Sequence, residues 1–474
     1  MRFCYFFCLL SLVVNLKQRS ERNTSSDLYI GNPINQFRLM EHLTIELTNI
    51  YKIISSTNSA SETIINRINS LNLPTDEDIN GVVNGIFRLQ STYRLSTSYF
   101  INGNASIKHL SLPMTWSECY RIGSIAYTFH DDEHAYDWIR SSYILLLESG
   151  IEFSNHQHRD LLDHLSYLSF MIKQPQQALA IANTILKHDP TNKRILENRL
   201  YFLQELNKLK QEVCESCELR DLPVESESQV YDDGYEEICR DNYKNENFVP
   251  TLNCYFTNNG KSFLKLQPIK LECVSLKPEI YIIHDILTER DIEYLKNISV
   301  DRLNRATVRS SNENQYVPAS YRISKSSWFS DDFHPKIKHL SLLISAITNL
   351  TMEYAEELQI QNYGTGGHFE PHFDFTRKSN NIHHVGGNRI ATFMFYMTDV
   401  EIGGLTVFPT LGIRVKPVKG SALFWFNLYR SGFGDYSTIH ASCPVLMGSK
   451  WVANKWIHEA GQEIHRPCSK DPML

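Results

Sequence analysis

Hydrophobic positions near the N-terminus recur every three or four residues, which is the period of an amphipathic helix. Two such runs lie within residues 35–100: Met40, Leu43, Leu47, Ile50 and Ile54 in the first, and Ile79, Val82, Ile86, Leu89 and Tyr93 in the second. Thr75 is suited to cap the second helix, because Asp76 and Asp78 follow it in the first turn. The same spacing is the seam of a coiled coil. The pattern leaves open whether these helices form a hairpin within one chain or a dimer.

Residues 115–205 continue the helical pattern, in pairs that we place at 117–149 and 158–188. Small residues that allow close packing occur in the last of these helices: Ala178, Ala180 and Ala182. Leu186 is expected in the core, and Asp189, which precedes a proline, is expected to end the helix. This ending is typical of a tetratricopeptide repeat.

Tyrosine is frequent in the same region: Tyr127, Tyr136, Tyr143, Tyr167 and Tyr201. Stacked helix pairs form a curved surface that suits an extended peptide. Rigid aromatic side chains with a polar tip suit a proline-rich ligand in the polyproline II conformation. For any single tyrosine, packing in the core is the competing explanation. The pattern predicts a peptide-binding helical domain without deciding which tyrosines face the peptide.

The chain changes character beyond the helical pairs. Residues 206–248 are acidic and irregular (ESESQVYDDGYEE), which indicates an interdomain linker. After residue 250, short β-rich runs such as RIATFMFYM, LTVFP and SALFWFNL alternate with turn residues. Helices are expected at about 288–297 and 335–357. This order predicts a double-stranded β-helix, or jelly roll, with flanking helices, and therefore an α+β multidomain chain.

Composition excludes few classes of function. The net charge of -6 and the pI near 6.3 give no reason to expect nucleic-acid binding. An apolar run follows Arg2 and has the length of a signal peptide, shorter than the roughly 20 residues that a membrane span needs. No later run is long and apolar enough to span, so we expect a secreted-pathway protein without a membrane span.

Glycosylation sequons and cysteines agree with an oxidising compartment. The sequons begin at Asn23, Asn104, Asn297 and Asn349. Of ten cysteines, two lie in the expected signal peptide and eight remain to pair. Proximity in sequence favours the bridges Cys239–Cys254 and Cys443–Cys468. Cys214 and Cys217 form a C-x-x-C motif, but their acidic, linker-like setting argues against a redox or metal role.

The residues with the clearest chemistry lie in NYGTGGHFEPHFDF, at 362–375. His372 and Asp374 flank Phe373, so on a strand both polar side chains point to one face. His440 lies on a later β segment. Two imidazoles and one carboxylate on one face of an iron ion leave three positions open, which is the arrangement of non-haem Fe(II) oxygenases.

Lys450 follows His440 by ten residues and strengthens this interpretation. A dicarboxylate co-substrate that chelates iron through its 2-oxo acid end leaves its far carboxylate deep in the protein. A buried anion needs a paired cation, and Lys450 is placed to supply it. A surface lysine is the competing explanation, but tryptophans at 451 and 456 favour a buried setting.

Together these motifs resemble the α subunit of collagen prolyl 4-hydroxylase over nearly the whole chain. The similar segments include YGTGG, EPHFDF, GNRIATFMFYMTDVEIGGLTVFP, LFWFNL, GDYST and the KW…W…HE…GQE…RPC pattern near the end. The resemblance implies an endoplasmic reticulum lumen enzyme that requires Fe(II), 2-oxoglutarate, O2 and ascorbate. It also implies an α2β2 tetramer with protein disulfide isomerase as the β subunit, and dimerisation through the N-terminal helices as a coiled coil.

Matching positions carry the family's functional residues onto this chain. The resemblance implies that His372, Asp374 and His440 bind iron, that Lys450 and Tyr363 bind the tail of 2-oxoglutarate, and that His458 assists co-substrate binding and decarboxylation. It also implies substrate contacts near the reacting proline from Arg389 and Trp456, and peptide contacts in the helical domain from Tyr127, Tyr167, Arg194, Asn198 and Tyr201.

The expected activity is hydroxylation of proline C4 in collagen-like X-Pro-Gly peptides, coupled to oxidative decarboxylation of 2-oxoglutarate to succinate and CO2. The expected domains are a signal peptide at 1–20, a helical dimerisation region at 25–110, a tetratricopeptide-like peptide-binding domain at 115–205, an acidic linker at 206–248 and a catalytic domain at 249–474. Two alternatives stay open: a weak or inactive collagen-binding subunit, and an oxygenase for another proline-rich secreted protein.

The chain departs from the family pattern in three places. His368 and Phe369 stand where the family usually has Gln-Tyr before Glu-Pro-His, which removes a tyrosine hydroxyl near the metal. His164 stands where a groove tyrosine is common, which bears on peptide preference. The chain ends in DPML without a KDEL-type retention sequence, which fits a subunit held in the endoplasmic reticulum by its partner.

Overall fold

The computed structural model describes residues 30–55, 74–103, 111–150, 156–209, 234–240, 253–309, 316–318, 321–377 and 386–471. The chain divides into a helical unit, Ile34–Asp232, and a C-terminal unit, Asp233–Leu474, to which Met1–Pro33 also belongs. The expected signal peptide and most of the expected linker, including Cys214 and Cys217, lie outside the described residues. No helix in the described part of the chain has the length and hydropathy of a membrane span.

The helical unit contains eight α-helices in its described residues. They are α1 (Pro33–Ser55), α2 (Asp76–Tyr93), α3 (Thr97–Ile101), α4 (Trp116–Thr128), α5 (Asp132–Glu148), α6 (His156–Met171), α7 (Pro175–His188) and α8 (Lys193–Leu209). The helices expected in 35–100 and the pairs expected at 117–149 and 158–188 are therefore present. The helix α8 extends past residue 205, where the linker was expected to begin.

The start of α2 follows the predicted capping pattern. Thr75 precedes the helix in an extended conformation, and the Asp78 carboxylate accepts hydrogen bonds from the backbone N–H (2.8 Å) and hydroxyl (3.0 Å) of Thr75. The buried stripe of α2 contains Ile79, Val83 and Ile86. Burial therefore follows the predicted period, although Val83 takes the buried position expected for Val82.

Close packing joins the paired helices of this unit. A Cβ atom at Gly123 of α4 would lie 2.5 Å from the Ile139 side chain of α5, so glycine permits the contact between these two helices. In α7, Ala178, Ala180 and Ala182 are buried as expected. The expectation for Leu186 is wrong: Ile185 fills the core and Leu186 is only half-buried, because the helix presents position 185 to its neighbours.

The C-terminal unit is rich in strands. Its helices are α9 (Glu236–Cys239), α10 (Glu289–Val300) and α11 (Pro335–Thr348). Its strands are β1 (Cys254–Thr257), β2 (Ile269–Leu276), β3 (Glu279–His284), β4 (Asn304–Arg305), β5 (Thr307–Arg309), β6 (Tyr316–Pro318), β7 (Arg322–Ile323), β8 (Lys325–Phe329), β9 (Leu358–Tyr363), β10 (His368–His372), β11 (Arg389–Tyr396), β12 (Ile402–Gly403), β13 (Thr406–Phe408), β14 (Ile413–Val415), β15 (Ala422–Phe426), β16 (His440–Ser442), β17 (Val445–Met447) and β18 (Lys450–His458).

Two antiparallel sheets form the centre of this unit. The larger sheet has the order β1-β2-β3-β15-β11-β18-β9-β8-β4, and the smaller has the order β14-β13-β16-β10-β7. Two strand pairs, β12 with β17 and β5 with β6, accompany them. The predicted strands RIATFMFYM, LTVFP and SALFWFNL correspond to β11, β13 and β15.

The central strand β11 is buried on both faces, which explains its nearly continuous apolar sequence. Phe393 and Phe395 pack in one cluster with residues of α10 and α11, such as Ile292 and Ile344. On the opposite face, Met394 packs in a second cluster to which both sheets contribute. Thr392 shares that second face, so a polar side chain points into the space between the sheets.

Two local expectations fail in this unit. The helix expected at 335–357 ends at Thr348, because Asn349 adopts a left-handed conformation (φ 58°) at its C-cap. The expected bridges are also wrong, since Cys239 is bonded to Cys443, and both Cys254 and Cys468 are free and exposed. The fold brings α9 beside the residues after β16, and the pairing by sequence proximity does not anticipate that contact.

Candidate active site

A narrow cavity opens between the two sheets of the C-terminal unit. Strands of the larger sheet contribute Gln361, Tyr363, Thr392, Met394, Trp425, Lys450, Asn454 and Trp456 to its lining. The smaller sheet and the residues beside it contribute Phe369, His372, Asp374, Thr406, His440, Ala441 and Ser442. Such a cluster of polar side chains within an apolar core must be satisfied by partners or by a ligand.

Two histidines and one carboxylate meet at the mouth of this cavity. His372 ends β10, and His440 lies directly opposite it at the start of β16. Asp374 follows β10 and places Oδ1 3.6 Å from His372 Nε2 and Oδ2 3.6 Å from His440 Nε2. One potential ligand atom from each residue lies within 4.8 Å of the other two. The pairing of β10 with β16 thus brings His440 to His372 and Asp374, which lie 66 or more residues before it in the sequence.

The hydrogen bonds of both imidazoles orient their lone pairs toward this meeting point. His372 Nδ1 lies 2.8 Å from the carbonyl oxygen of Glu370, and His440 Nδ1 lies 3.0 Å from that of Thr438. A carbonyl oxygen only accepts, so each Nδ1 must carry the proton, and each Nε2 is left with a free lone pair facing Asp374. This arrangement is typical of metal-binding histidines.

The protonation states suit a divalent cation as well. Burial, reinforced by the neighbouring His440, lowers the pKa of His372, so its imidazole is neutral. Burial alone would raise the pKa of Asp374, but His440 and His372 outweigh it and lower that pKa, so the carboxylate is ionised. Two imidazoles and one carboxylate fit Fe(II) with open coordination positions.

Further residues hold Asp374 in place. Thr392 Oγ1 donates a hydrogen bond to Asp374 Oδ2 (2.7 Å), and Asn427 Nδ2 donates to Thr392 Oγ1 (2.9 Å). Arg389 donates to the Asp374 carbonyl oxygen (3.3 Å). Since Asn427 determines which way the Thr392 hydroxyl can point, the carboxylate is oriented before any ligand arrives. The sequence analysis missed Thr392 and Asn427, which look like ordinary strand residues.

Lys450 lies deep in the same cavity and is 1 % exposed. It starts β18 opposite Tyr363 of β9. Its Nζ donates hydrogen bonds to the hydroxyls of Ser442 (2.8 Å) and Thr406 (3.3 Å). No acidic side chain in the described part of the chain forms an ion pair with it, and burial lowers its pKa to about 7. A cation in this setting is stabilised by any anion that enters the cavity.

Tyr363 presents its hydroxyl beside this lysine. The Lys450 Nζ lies 5.6 Å from the centre of the Tyr363 ring, and the Tyr363 hydroxyl donates to Gln361 Oε1 (2.6 Å). Burial raises the pKa of Tyr363 to about 12, so the hydroxyl keeps its proton. To donate to an incoming carboxylate, the hydroxyl would have to give up its hydrogen bond to Gln361. The structure thus brings Tyr363 and Lys450 together, along with Ser442 and Thr406, which the sequence analysis did not name.

The structure places His458 outside the cavity lining. Its ring is 1 % exposed, and its nitrogens contact Glu356 Oε1 (3.0 Å) and the carbonyl oxygen of Gly387 (2.8 Å). His458 is therefore not placed to contact a co-substrate bound in the cavity. The side chain instead helps to hold Glu356, which the sequence analysis missed.

Glu356 connects His458 to two of the expected substrate-contact residues. Arg389 donates to both Glu356 oxygens, through Nε (2.5 Å) and an Nη (2.9 Å). Its guanidinium lies 4.1 Å from the centre of the Trp456 ring, and Trp456 lines the cavity. Burial alone would raise the pKa of Glu356, but the hydrogen bonds from His458 and Arg389 lower it to about 2. The Trp456 ring is consequently held in place by a half-buried ion pair.

Phe369, one of the departures from the family pattern, stacks on a histidine of the metal-binding group. The rings of Phe369 and His372 are 3.6 Å apart with an angle of 16° between them. Arg322 lies on β7, which pairs with β10. Its guanidinium is 4.8 Å from the centre of the Phe369 ring. The phenyl ring thus retains a packing role at a position where the tyrosine hydroxyl is lost.

The remaining expected site residues lie in the helical unit. Tyr127 of α4 contacts Tyr167 of α6 edge to face, with ring centres 5.9 Å apart. Arg194 of α8 forms an ion pair with Asp163 of α6 (2.5 Å). Tyr201 and half-buried Asn198 also lie on α8. These residues therefore occupy helices that contact one another within this unit.

Models of three protein families match consecutive parts of the chain. The N-terminal region of the prolyl 4-hydroxylase alpha-subunit matches residues 9–106, and the prolyl 4-hydroxylase peptide-substrate-binding domain matches residues 116–208. The 2OG-Fe(II) oxygenase superfamily matches residues 358–458. The last range contains the two histidines, the aspartate and Lys450.

Whole-chain relatives agree with these matches. The chain is 38 % identical to prolyl 4-hydroxylase subunit alpha-1 of Rattus norvegicus, over 93 % of this chain and 85 % of the relative. It is 35 % identical to subunit alpha-2 of Gallus gallus, over 95 % and 86 %. It is 36 % identical to subunit alpha-2 of Caenorhabditis elegans, over 93 % and 83 %.

Solved structures match only part of the chain. A viral collagen prolyl hydroxylase from Paramecium Bursaria Chlorella virus-1, in complex with 2OG, is 24 % identical with a TM-score of 0.32, covering 38 % of this chain and 96 % of that one. A Pseudomonas putida prolyl-4-hydroxylase is 16 % identical with a TM-score of 0.28, covering 38 % and 92 %.

Proposed function

The chain belongs to the family of prolyl 4-hydroxylase α subunits, and on that premise we propose that it hydroxylates C4 of proline in collagen-like X-Pro-Gly peptides. The observation that carries this proposal is the convergence of His372, Asp374 and His440 on one point. Lys450, for which the described part of the chain offers no ion pair, lies deeper in the same cavity. A metal site beside a buried cation suits an enzyme that binds a metal-chelating dicarboxylate better than it suits a metal-dependent hydrolase.

We propose that different residues of the cavity bind the metal and the co-substrate. His372, Asp374 and His440 would hold Fe(II) through two imidazole Nε2 atoms and one carboxylate. Lys450 would pair with the far carboxylate of 2-oxoglutarate, and Tyr363 would donate a hydrogen bond to it. When bound, Fe(II) with 2-oxoglutarate and O2 supplies the oxidation that inserts one oxygen atom at proline C4 and releases succinate and CO2. Ascorbate is the reductant that we expect the enzyme to require.

The surrounding side chains keep this site ordered and dry. Trp425 contacts the His440 ring edge to face (4.8 Å between ring centres) and covers it with apolar surface. Thr392 fixes the Asp374 carboxylate. Trp456 and Arg389 are the residues that we propose near the reacting proline, and their support by Glu356 and His458 favours a fixed position of that proline. We assign His458 to this support and not to the co-substrate.

The helical unit contributes binding of the peptide outside the cavity. We propose peptide contacts from Tyr127, Tyr167, Arg194, Asn198 and Tyr201. Two of them, Tyr167 and Tyr201, are 46 % and 48 % exposed, so their rings are accessible to a peptide. An extended proline-rich peptide suits such rigid aromatic groups.

The same proposal includes the fold of the two sheets, the domain limits, the assembly and the cellular compartment. We infer a double-stranded β-helix for the two sheets, a coiled-coil dimer through the region at 25–110, and the domain limits 115–205, 206–248 and 249–474. Antiparallel pairing in both sheets supports the first inference. We also propose an α2β2 assembly with protein disulfide isomerase in the endoplasmic reticulum lumen, which the buried Cys239–Cys443 bridge favours.

A mass-spectrometric assay tests this function. The protein, co-expressed with a disulfide isomerase, is incubated with a Pro-Pro-Gly repeat peptide, Fe(II), 2-oxoglutarate and ascorbate. We expect one added oxygen on proline, located at C4, and none with His372→Ala. Absence of product from a preparation that binds Fe(II) and the peptide would contradict the proposal, and would instead favour a collagen-binding subunit or a different proline-rich substrate.

A further inference from the structure

A short turn with the sequence GDYST, at 434–438, lies between β15 and β16. Tyr436–Thr438 forms one turn of 3-10 helix, and His440 begins β16 two residues later. Asp435 and Thr438 are buried, and none of the five residues lines the cavity. The turn therefore lies behind a metal-binding residue, without facing a ligand in the cavity.

Asp435 closes this turn at its start. Its Oδ1 accepts hydrogen bonds from the backbone N–H (3.0 Å) and the hydroxyl (2.5 Å) of Ser437. Its carbonyl oxygen accepts from the backbone N–H (3.1 Å) and the hydroxyl (2.7 Å) of Thr438. A carboxylate that satisfies the first free N–H groups of a helical turn is the N-cap arrangement. Asp435 thus determines the path of the next three residues.

The turn in its own right holds His440. The carbonyl oxygen of Thr438 accepts a hydrogen bond from His440 Nδ1 (3.0 Å). The opposite nitrogen, Nε2, then faces Asp374 Oδ2 at 3.6 Å. A partner of this kind sets both the tautomer and the orientation of a metal-binding imidazole. The direction of the Nε2 lone pair therefore depends on where the turn places the Thr438 carbonyl.

The same segment is connected to the carboxylate of the metal site. The backbone N–H of Asp435 donates to the carbonyl oxygen of Asn427 (2.9 Å), and the Asn427 side chain supports Asp374 through one threonine hydroxyl. A Cβ atom at Gly434 would overlap the ring of Phe375, which follows Asp374. Glycine at 434 therefore lets the turn pack closely against the chain beside this second ligand.

Ring packing is the competing explanation for the orientation of His440. The imidazole contacts Trp425 and Phe408, with ring centres 4.8 Å and 5.9 Å apart. These contacts restrain the plane of the ring. They do not distinguish the ring from the same ring flipped by 180°, which has nearly the same shape and directs Nε2 away from Asp374. The hydrogen bond to Thr438 distinguishes the two orientations before any metal binds.

We propose that Asp435 is a positioning residue for the metal site, because it fixes the turn that orients the Nε2 atom of His440. Asp435 itself touches neither the metal nor the co-substrate. The inference rests on the proposed function in taking His440 as a metal ligand, and goes beyond it in assigning a role to the GDYST turn. The role requires a hydrogen-bond acceptor at position 435 and not a negative charge, since asparagine caps such turns equally well.

Calorimetric titration of the full chain with Mn(II), without co-substrate or peptide, tests this role. Asp435→Ala should weaken Mn(II) binding by about tenfold, the lower end of the range for groups that hold metal ligands. Asp435→Asn keeps the acceptor and should bind nearly as the wild type does. Asp399→Ala is the matched control, because Asp399 Oδ1 also accepts from a backbone N–H, that of Lys419 (2.9 Å), in a loop outside the cavity. It should leave Mn(II) affinity unchanged.

The visible absorption spectrum of the Co(II)-loaded protein separates positioning from a general loss of stability. At saturating Co(II), Asp435→Ala should change the d–d bands, which report ligand geometry, and Asp399→Ala should not. Thr438→Val provides a second variant that keeps the shape of the side chain. It removes the hydroxyl bond to Asp435 but keeps the carbonyl that binds His440, so Mn(II) affinity should fall by about two- to fivefold.

The outcomes decide between the two explanations. A folded Asp435→Ala protein with the wild-type Mn(II) affinity and Co(II) spectrum would overturn the inference, as would an equal loss in Asp435→Asn. If Asp435→Ala does not fold, full Mn(II) affinity in Thr438→Val overturns it.

The inference and the proposed function fail in distinguishable ways. A wild-type chain that binds Mn(II) but yields no hydroxyproline would contradict the proposed function alone, and the variants would still decide the role of Asp435. A wild-type chain that binds no Mn(II) would contradict both.

Discussion

The two units of the chain present different surfaces to a ligand. The C-terminal unit buries a cation: Lys450 is 1 % exposed, and among the described residues its hydrogen-bond partners are two hydroxyls. The helical unit instead brings half-exposed tyrosines into ring contact with neighbouring helices, Tyr167 with Tyr127 and Tyr201 with Phe170. A buried cation that forms no ion pair within the described part of the chain costs free energy until an anion binds, which indicates a small anionic ligand. Accessible rings on neighbouring helices suit an extended peptide.

The buried lysine and the exposed tyrosines also suit two different tasks, which are binding of the co-substrate and binding of the peptide. A buried charge can be satisfied only by a ligand that is fully enclosed, which suits a co-substrate that must react away from water. Exposed aromatic residues can bind a long chain at many points without enclosing it. Changes around Lys450 and the metal-binding residues should accordingly affect chemistry and co-substrate affinity, and changes at Tyr167 and Tyr201 should affect only peptide affinity.

The largest effect is expected for Lys450→Met. Losing the partner of a buried carboxylate should weaken 2-oxoglutarate binding by about 100-fold or more, as measured by calorimetric titration with Mn(II) in place of Fe(II). The ligand-free variant should nevertheless melt at a higher temperature than the wild type, because a buried cation without an acidic partner is removed.

Lys455→Met is the matched control for this prediction. Lys455 lies on the same strand and is 2 % exposed, but it is paired with Asp331 at 2.9 Å. Its loss should lower the melting temperature and leave 2-oxoglutarate affinity unchanged. If both lysine variants behaved alike, the distinction between a ligand-binding and a structural buried cation would be wrong.

A second large effect is expected for Glu356→Gln. Arg389 and His458 would lose their shared anion, which should lower the free energy of unfolding by roughly 2–4 kcal/mol at neutral pH. Because the folded pKa of Glu356, about 2, lies below its ordinary value of 4.5, this stabilisation is present above about pH 4.5 and is lost as the pH falls toward 2.

Urea unfolding at neutral and acidic pH measures this loss. Glu357→Gln serves as the control, since its exposed neighbouring carboxylate has no such role. The difference in stability between wild type and Glu356→Gln should shrink as the pH falls. A difference that stayed constant with pH would argue against an ionised Glu356 in the fold.

An intermediate effect is expected for Thr392→Val. The variant keeps the shape of the side chain but removes the hydroxyl that orients Asp374, so affinity for Mn(II) should fall by about 10- to 100-fold. Thr392→Ser retains the hydroxyl and should bind the metal nearly as the wild type does. Unaltered metal affinity in Thr392→Val would mean that Asp374 needs no such support.

The smallest effect is expected for the exposed tyrosines of the helical unit. Tyr167→Ala should raise KM for a Pro-Pro-Gly repeat peptide by about two- to tenfold, the worth of one aromatic contact, and should leave kcat and the affinity for 2-oxoglutarate unchanged. Leu112→Ala removes an exposed apolar side chain of the same unit and should have no effect. A lower kcat in Tyr167→Ala would break the separation of tasks between the units.

Sequence patterns identify elements more readily than contacts. The helices α2 and α4 to α7 and the strands β11, β13 and β15 follow from periodicity, because burial repeats with the geometry of each element. The end of α11 does not, because the left-handed Asn349 interrupts a pattern that otherwise continues as helical. The Cys239–Cys443 bridge depends on a tertiary contact between distant segments, and proximity in sequence carries no information about it.

The same contrast holds within the site. His372, Asp374, His440 and Lys450 are recognisable because their residue types, in that spacing, are unusual among β-strands. Glu356, Thr392 and Asn427 have common residue types at unremarkable positions, and only their hydrogen bonds distinguish them. His458 illustrates the converse, because its position matches the family while its ring is engaged by Glu356 outside the cavity.

The most direct test of the separation of tasks is one peptide hydroxylation assay, read by mass spectrometry, on Asp374→Asn and on the double variant Tyr167→Ala/Tyr201→Ala. We predict no detectable hydroxyproline from Asp374→Asn at any peptide concentration. The double variant should reach the wild-type kcat, with KM raised by roughly the product of the factors for the two single variants, because the two losses of binding free energy add. Hydroxyproline formed by Asp374→Asn, or a double variant whose kcat falls while its KM is unchanged, would contradict the account.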